Sequence, residues 1–438
     1  MSRRPLKVII VGAGIGGLAC AVACRHSNID VLILERVTEI LAVGAGIQTP
    51  SNATRVWRHY GVLDELLKHA VIMDGIQLRR WENGDLLCDR SVSRDSPLNT
   101  GSPWIAIHRA DYQRVIIDEA KRLGVRIRLG AHVGSVDFEK AAVTLEDGDV
   151  VSGDVVIGAD GLWSTIREQL LTHPSPPLET GDLAYRGTFS REALTSLNDP
   201  SINHLIEQPV CTLWLGGSSH AVFYPLRNGQ EFNLVLITPD DLPANVRTQP
   251  GDVQQIREIF KGWDSTINKI ISKIETVTKW KLCHHEELES WTKGNVALLG
   301  DACHPSLPYQ AQGGAMAVED GAVLGILLGL YQDSITGSPS PSPNVGIPDV
   351  LKMYEGLQKK RTTTQVKGSI SNQHMYHMPD GPEQRERDRI LKSASWVRKE
   401  ANENFVFIDV KYQGILMGFD AIKEAREVWS NLIHGTES

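Results

Sequence analysis

The sequence predicts an α/β fold with a separate β-rich body and a helical C-terminal region. Three observations carry that prediction. Residues 7–17 read Lys-Val-Ile-Ile-Val-Gly-Ala-Gly-Ile-Gly-Gly, an apolar strand running straight into G-x-G-x-x-G. Two further short apolar runs, 155–158 and 296–299, end in turns at Asp160-Gly161 and Gly300-Asp301. The stretch from Leu183 to Ile237 is rich in β-formers and turn residues, as expected of an antiparallel sheet.

Gly12, Gly14 and Gly17 occupy the three motif positions, and an Ala-rich helix follows from Leu18 to Arg25. In such a turn the first glycine makes the bend and the second lets backbone approach a pyrophosphate. The third lets helix and strand pack closely. The helix start offers unpaired N–H groups and a partial positive charge to phosphate. Asp30-Val-Leu-Ile-Leu-Glu35 reads as the second strand, ending in an acid 18 residues past Gly17. A carboxylate there is placed to bond a ribose hydroxyl. Strand, turn, helix, strand and acid in this order make a Rossmann-like dinucleotide unit.

Further along, a glycine-bearing loop spans 42–48 and a helix starts at Ser51, where Ser, Asn and Thr supply caps. Residues 77–90, 104–108, 125–129 and 133–145 have β character, while 110–122 has helical periodicity. Residues 253–263 and 267–277 read as helices, and 314–330 as a long apolar helix. The Pro/Ser-rich stretch 334–348 reads as an exposed loop, with helical sequence from Asp349 onward. The expected organisation is a discontinuous nucleotide-binding domain (1–75, 101–180, 285–333). A sheet domain (76–100, 181–284) and a C-terminal helical region (349–438) complete it.

Composition excludes other classes. A formal charge of −8 speaks against a nucleic-acid partner, which needs a concentrated basic face. The mixed-sign run 384–389 reads as a solvated helix face. Six cysteines show neither C-x-x-C nor metal-ligand spacing. His284, His285, Glu286 and Glu287 are adjacent residues whose side chains diverge, so no metal is expected. The apolar stretch 322–330 falls short of the ~18 residues of a membrane span. The expectation is a soluble, cytoplasmic protein, monomeric or homodimeric, with no membrane span.

Taken together, the segments resemble the single-component FAD-dependent aromatic monooxygenases, especially their salicylate hydroxylase-like branch of fungal type. Gly158-Ala-Asp160-Gly161-Leu-Trp-Ser164-Thr-Ile-Arg167 resembles that family's second fingerprint. Gly300-Asp301-Ala-Cys303-His304-Pro305 resembles its third, continued by Pro308-Tyr-Gln-Ala-Gln-Gly313-Gly314 and Glu319-Asp320. His220-Ala-Val-Phe-Tyr224-Pro225 resembles the substrate-sheet segment of salicylate and hydroxybenzoate hydroxylases, and a looser match starts at His377. Cys303 and Gly314 depart from the usual alanines.

The resemblance implies bound FAD, transient NADPH or NADH, and O2. It also implies oxygen transfer from a flavin C4a-hydroperoxide to a small electron-rich aromatic. Asp301 would bond the ribityl chain, and Gly313 and Gly314 open a helix whose bare backbone approaches the ring. Arg109 would stand beside the phosphates or ring, Arg36 and Gly46 would add to the cofactor site, and Pro308 would shape the pocket. Asp160 either bonds the cofactor or caps its turn and holds Arg167. His220 either acts on the substrate hydroxyl or caps a turn after Gly216-Gly217. Tyr224, four residues on, shares its strand face. Arg186 either lowers the phenol pKa or binds a substrate carboxylate, or else sits in a structural ion pair. His304 is expected to bond backbone. The same fingerprints serve secondary-metabolite hydroxylases, dearomatases and epoxidases. A non-oxygenase flavoprotein is the reading from another class.

Overall fold

The computed structural model describes residues 4–40, 44–92, 100–336, 345–394 and 405–434. The nucleotide layer is a six-stranded sheet ordered Thr292–Lys293, Val296–Leu298, Val155–Gly158, Lys7–Val11, Asp30–Leu34, Arg126–Arg128. Every neighbouring pair runs parallel except the first, which is an antiparallel edge. Strands covered on both faces need apolar side chains at every position. Val8, Ile9 and Ile10 accordingly have no exposed surface, nor do Val155, Val156 and Ile157.

Two helices cover one face, Ile15–His26 and Gly313–Thr336. They approach almost backbone to backbone: a Cβ added at Gly325 would lie 2.4 Å from the Ala23 Cβ. The longer helix has 24 residues and a stretch of mean hydropathy 1.5, so by length and composition it could cross a membrane. The sequence reading underestimated it. However, 83% of that stretch is buried inside the protein, so its apolar surface is already covered. The helix also runs through Thr336, so residues 334–336 are helical rather than loop. Of the expected Pro/Ser loop, 337–344 lie outside the described residues, and helix resumes at Ile347.

The second body is an eight-stranded sheet. Its order is Thr248–Pro250, Thr278–His284, Leu178–Ser190, Glu231–Pro239, Ser219–Leu226, Val210–Gly216, Gly75–Arg80, Leu86–Ser91. It is antiparallel apart from one join, where Val210–Gly216 runs parallel to Gly75–Arg80. The 75–91 hairpin comes from much earlier in the chain, so no tight turn forces it antiparallel. Phe223, Phe232 and Leu234 on one face pack against Ile256, Phe260, Ile267 and Ile270 of the helical segment 253–272. The opposite face looks toward the nucleotide layer. The helix Ile347–Tyr376 bridges the two bodies. Its Arg361 makes two hydrogen bonds, 2.9 and 2.8 Å, to the fully buried Glu319 of the core helix.

Candidate active site

Between the two sheets opens a cavity of about 380 Å³. On the nucleotide side it is lined by Gly14, Gly17, Gly46, Arg109, Asp301, Gly313 and Gly314. On the sheet side it is lined by Arg186, His220 and Tyr224, with Pro308 between the two. Register explains the second group. Arg186 pairs with Val235 and Val235 with Val222, while His220 and Tyr224 flank Val222 at two-residue spacing. Paired and alternate residues share a sheet face, so these side chains point the same way.

The glycine turn is built as its sequence demands. Gly12 has φ +110°, and a Cβ there would meet the Ala159 carbonyl oxygen at 2.3 Å. A Cβ on Gly17 would stand 2.1 Å from the Gly12 carbonyl oxygen. Gly14 instead faces open space, with nothing within 4 Å of the corresponding point. It caps the Ile15–His26 helix, whose first-turn N–H groups have no partners within the helix. Glu35 sits beside this turn, accepting from the N–H groups of Ala13 (2.7 Å) and Val37 (3.1 Å). Each carboxylate oxygen keeps a second acceptor site. Arg36 is exposed and does not line the cavity.

Asp160 does what its capping alternative required. Its carboxylate accepts from the Ser164 hydroxyl (2.6 Å) and the Ile166 N–H (3.2 Å) at the start of the helix Thr165–Leu171. Burial raises its pKa. It does not hold Arg167, which donates to the carbonyls of Ala302, Leu162 and Ser175. Its neighbours Ala159 and Gly161, rather than Asp160 itself, line the cavity.

Asp301 lies in the turn after the Val296–Leu298 strand. Burial raises its pKa, His304 and Arg109 oppose the rise, and Asp320 reinforces it. His304 was expected to bond backbone; instead its Nε2 lies 2.6 Å from the Asp320 carboxylate. Burial disfavours its charge, but Cys303 and Asp320 outweigh that and hold its pKa well above the usual histidine value. Donor atoms of Cys303, His304 and Asp320 lie within 4.8 Å of one another, the one such group among the described residues. Asp320 also accepts from the Gly300 N–H and from Gln358, so it is engaged by protein on both oxygens.

On the sheet side, His220 is 3% exposed and inside a strand, not at a turn, so the turn-capping alternative fails. Its Nδ1 lies 2.7 Å from Nε2 of His377. Burial, with a contribution from His377, pushes its pKa well below the usual value. Burial raises the Tyr224 pKa, partly offset by Arg186. Arg186 makes no ion pair or hydrogen bond among the described residues, and its Nε is buried without a partner. The structural ion pair considered for it is therefore absent there. Burial lowers its pKa.

Several contributors were not singled out from the sequence. A second, small cavity of about 60 Å³ adjoins the first through Gln48, His220, Val222, Pro308 and Ala311. Ile76, Arg90, Cys211 and Leu213 line it from the sheet, and Tyr376 and Phe407 from the C-terminal region. Alternation along the strands could have flagged the first four. Nothing local marks Tyr376 or Phe407, which arrive from separate C-terminal segments.

The donor set fits a flavin dinucleotide. The open glycine turn leaves backbone N–H groups for a phosphate, the Arg109 guanidinium has no protein partner among the described residues, and the Asp301 carboxylate lines the same cavity, able to accept from hydroxyl groups. Fold and cavity together define a flavin-dinucleotide-binding protein, and its relatives place it among the FAD-dependent aromatic monooxygenases. The chain belongs to the FAD binding domain family, whose match covers residues 5–334. It is 37% identical to the FAD-dependent monooxygenase OpS4 of Beauveria bassiana (strain ARSEF 2860), over 98% of both chains. It is 30% identical to the 3-amino-4-hydroxybenzoate 2-monooxygenase of Streptomyces cremeus, over 90% of this chain and 93% of that one. Its fold matches a salicylate hydroxylase substrate complex with a TM-score of 0.78 at 24% identity, covering 97% of this chain and 98% of the other. These relationships decide against a non-oxygenase flavoprotein.

Proposed function

We propose that the protein is an NAD(P)H-consuming monooxygenase that inserts one oxygen atom of O2 into a phenolic or salicylate-like aromatic. One observation carries the reading: Arg186, His220 and Tyr224 converge on the wall of the cavity that also holds the glycine turn and Asp301. Gly14, Gly17, Arg109, Asp301, Gly313 and Gly314 would hold FAD, with Glu35 beside its adenosine end. When bound and reduced by a nicotinamide, FAD supplies the electrophilic oxygen.

The remaining work falls to the chain. The substrate ring must be electron-rich, and ionising a phenol of pKa ~10 at pH 7 costs roughly 4 kcal/mol. Arg186 offers a positive charge toward the phenolate. His220, kept neutral by burial, offers a base. Tyr224, kept protonated, offers a hydroxyl to orient the substrate oxygen. Val222, Val235 and Ile237 line the same wall and exclude water. For a substrate bearing a carboxylate, Arg186 is also its natural partner. A carboxylate ortho to the hydroxyl would leave as CO2 and give a catechol. The small pocket that adjoins the cavity through His220, Val222 and Pro308 supports a second reading, a larger phenol such as a secondary-metabolite precursor that reaches into both and is hydroxylated, dearomatised or epoxidised.

The test uses FAD-loaded protein with salicylate, 3-hydroxybenzoate and a bulkier phenol lacking a carboxylate. NADH and NADPH oxidation are followed together with product mass. Substrate-dependent oxidation with a mass gain of one oxygen, or catechol from salicylate, supports the reading. Oxygen insertion into the bulky phenol alone moves it to the larger substrate. Purified protein that binds no FAD refutes it.

A further inference from the structure

We infer that His377, biased by the nearby Asp182 carboxylate, is a positioning residue for His220: it fixes which imidazole nitrogen faces the substrate and takes the proton that His220 passes on from Nδ1. The inference rests on the hydroxylase reading above. His377 follows the helix Ile347–Tyr376, and Asp182 lies on the strand Leu178–Ser190. Nδ1 of His377 is 3.6 Å from Oδ2 of Asp182. The same oxygen accepts from Gln373 Nε2 at 2.6 Å and from the Tyr309 hydroxyl.

The tautomers follow from charge and acceptor logic. The Asp182 carboxylate, 3.6 Å away, favours through its charge a proton on the His377 nitrogen that faces it. A neutral His377 then has a lone pair on Nε2. That lone pair faces Nδ1 of His220 at 2.7 Å, so His220 donates there. The neutral His220 is left with its lone pair on Nε2, the nitrogen free to meet a substrate hydroxyl in the cavity that His220 lines. Asp182 thereby selects the basic nitrogen of a residue two steps away, as second-layer carboxylates do for other histidines.

The transfer balances without an electron carrier. The phenol O–H bond breaks and its proton joins Nε2 of His220. The Nδ1 proton of His220 passes to Nε2 of His377 across the 2.7 Å bond, and the Asp182 charge beside His377 stabilises the imidazolium that results. Net, one proton leaves the substrate. Side chains of His377 and Asp182 are only 11% and 9% exposed, so the charge that His377 takes up is held inside the protein beside the carboxylate. The groups facing this chain favour neutral rings. Tyr309, Tyr376 and His377 stand 5.3, 5.3 and 4.9 Å from the His220 ring centre. His374 adds repulsion against charge on His377, while Asp182 opposes it. Burial raises the pKa of both tyrosines, so neither competes as a base.

Side-chain ¹⁵N NMR of the histidine-labelled, FAD-bound protein tests this arrangement without a substrate, with His220→Gln and His377→Gln assigning the two rings. Both rings should be neutral near pH 7, with the proton on Nδ1. A His220 protonated on Nε2 overturns the arrangement. Asp182→Asn should disturb the His377 tautomer, and an unchanged spectrum would equally overturn it. In turnover with a phenol that the wild type hydroxylates, His377→Gln and Asp182→Asn should lose about 10²-fold at pH values below the phenol pKa. The loss should shrink toward nothing above it; a deficit equal at every pH means packing alone. If the wild type hydroxylates no phenol, the function proposed above fails, while the spectrum still decides the tautomers.

Discussion

Replacing Arg186 by Met should make the protein more stable and a poorer catalyst at the same time. Its Nε is buried without a hydrogen-bond partner, and no carboxylate among the described residues pairs with it. An unsatisfied buried donor costs about 1–3 kcal/mol. The cavity can admit water to the rest of the guanidinium, so the lower end, about 1 kcal/mol, is expected, or a rise in Tm of about 1 °C for a chain of this length. The chemistry moves the other way. One positive charge about 5 Å from a phenolate, at an effective dielectric constant near 20, contributes roughly 3 kcal/mol. That is about two pKa units of the phenol, or ~100-fold in its ionised fraction at neutral pH. The assay pairs thermal unfolding at matched FAD occupancy with kcat across pH for a phenol that the enzyme accepts. The deficit should be greatest near pH 7 and fade above the phenol pKa, and Arg186→Lys should recover part of it. A variant that melts lower and keeps the wild-type pH profile would refute the argument and return Arg186 to a structural role.

Asp301→Ala should fold and yet purify with little flavin, measured as FAD absorbance per chain; normal flavin content removes Asp301 from the cofactor site. Arg361→Met leaves the fully buried Glu319 charge without its cation and with a hydrogen bond from Asn52, and should cost about 3–5 kcal/mol in urea unfolding. Adding Glu319→Gln should restore much of that, and a single variant within 1 kcal/mol of wild type would contradict the buried pair. The His304–Asp320 pair gives a pH dependence of definite sign, because the folded-state His304 pKa is raised. Its stabilisation is complete below the unfolded histidine value of about 6.5 and is lost as pH rises through the raised value. The Tm advantage of wild type over His304→Asn should thus be larger at acidic than at alkaline pH, and a constant gap would show that the pair is not ionised.

The split between what could be read and what could not follows from the range of the forces involved. The glycine turn, the acid at Glu35 and the buried strands 7–11, 155–158 and 296–298 were legible because each signal is local. A pyrophosphate-binding turn needs its glycines within a few residues, and a strand covered on both faces needs an unbroken apolar run. His220 and Tyr224 could be placed on one face because strand alternation is also local. The parallel join at Gly75–Arg80 could not be read, since both edges of a strand carry the same backbone groups whichever neighbour arrives. The alternatives open for Asp160, His220 and Arg186 turned on partners remote in sequence or on their absence. Ser164 lies near enough to Asp160 for capping to be foreseeable. His377, however, is 157 residues from His220. By itself, then, the sequence determined the nucleotide fold, the cofactor class and the strand face that lines the cavity. Tertiary structure alone decided that Arg186 stands unpaired and that Tyr376 and Phe407 close the second cavity. It also decided that His220 leans on His377 and Asp182, because burial and pairing depend on which distant segments the packed chain brings together.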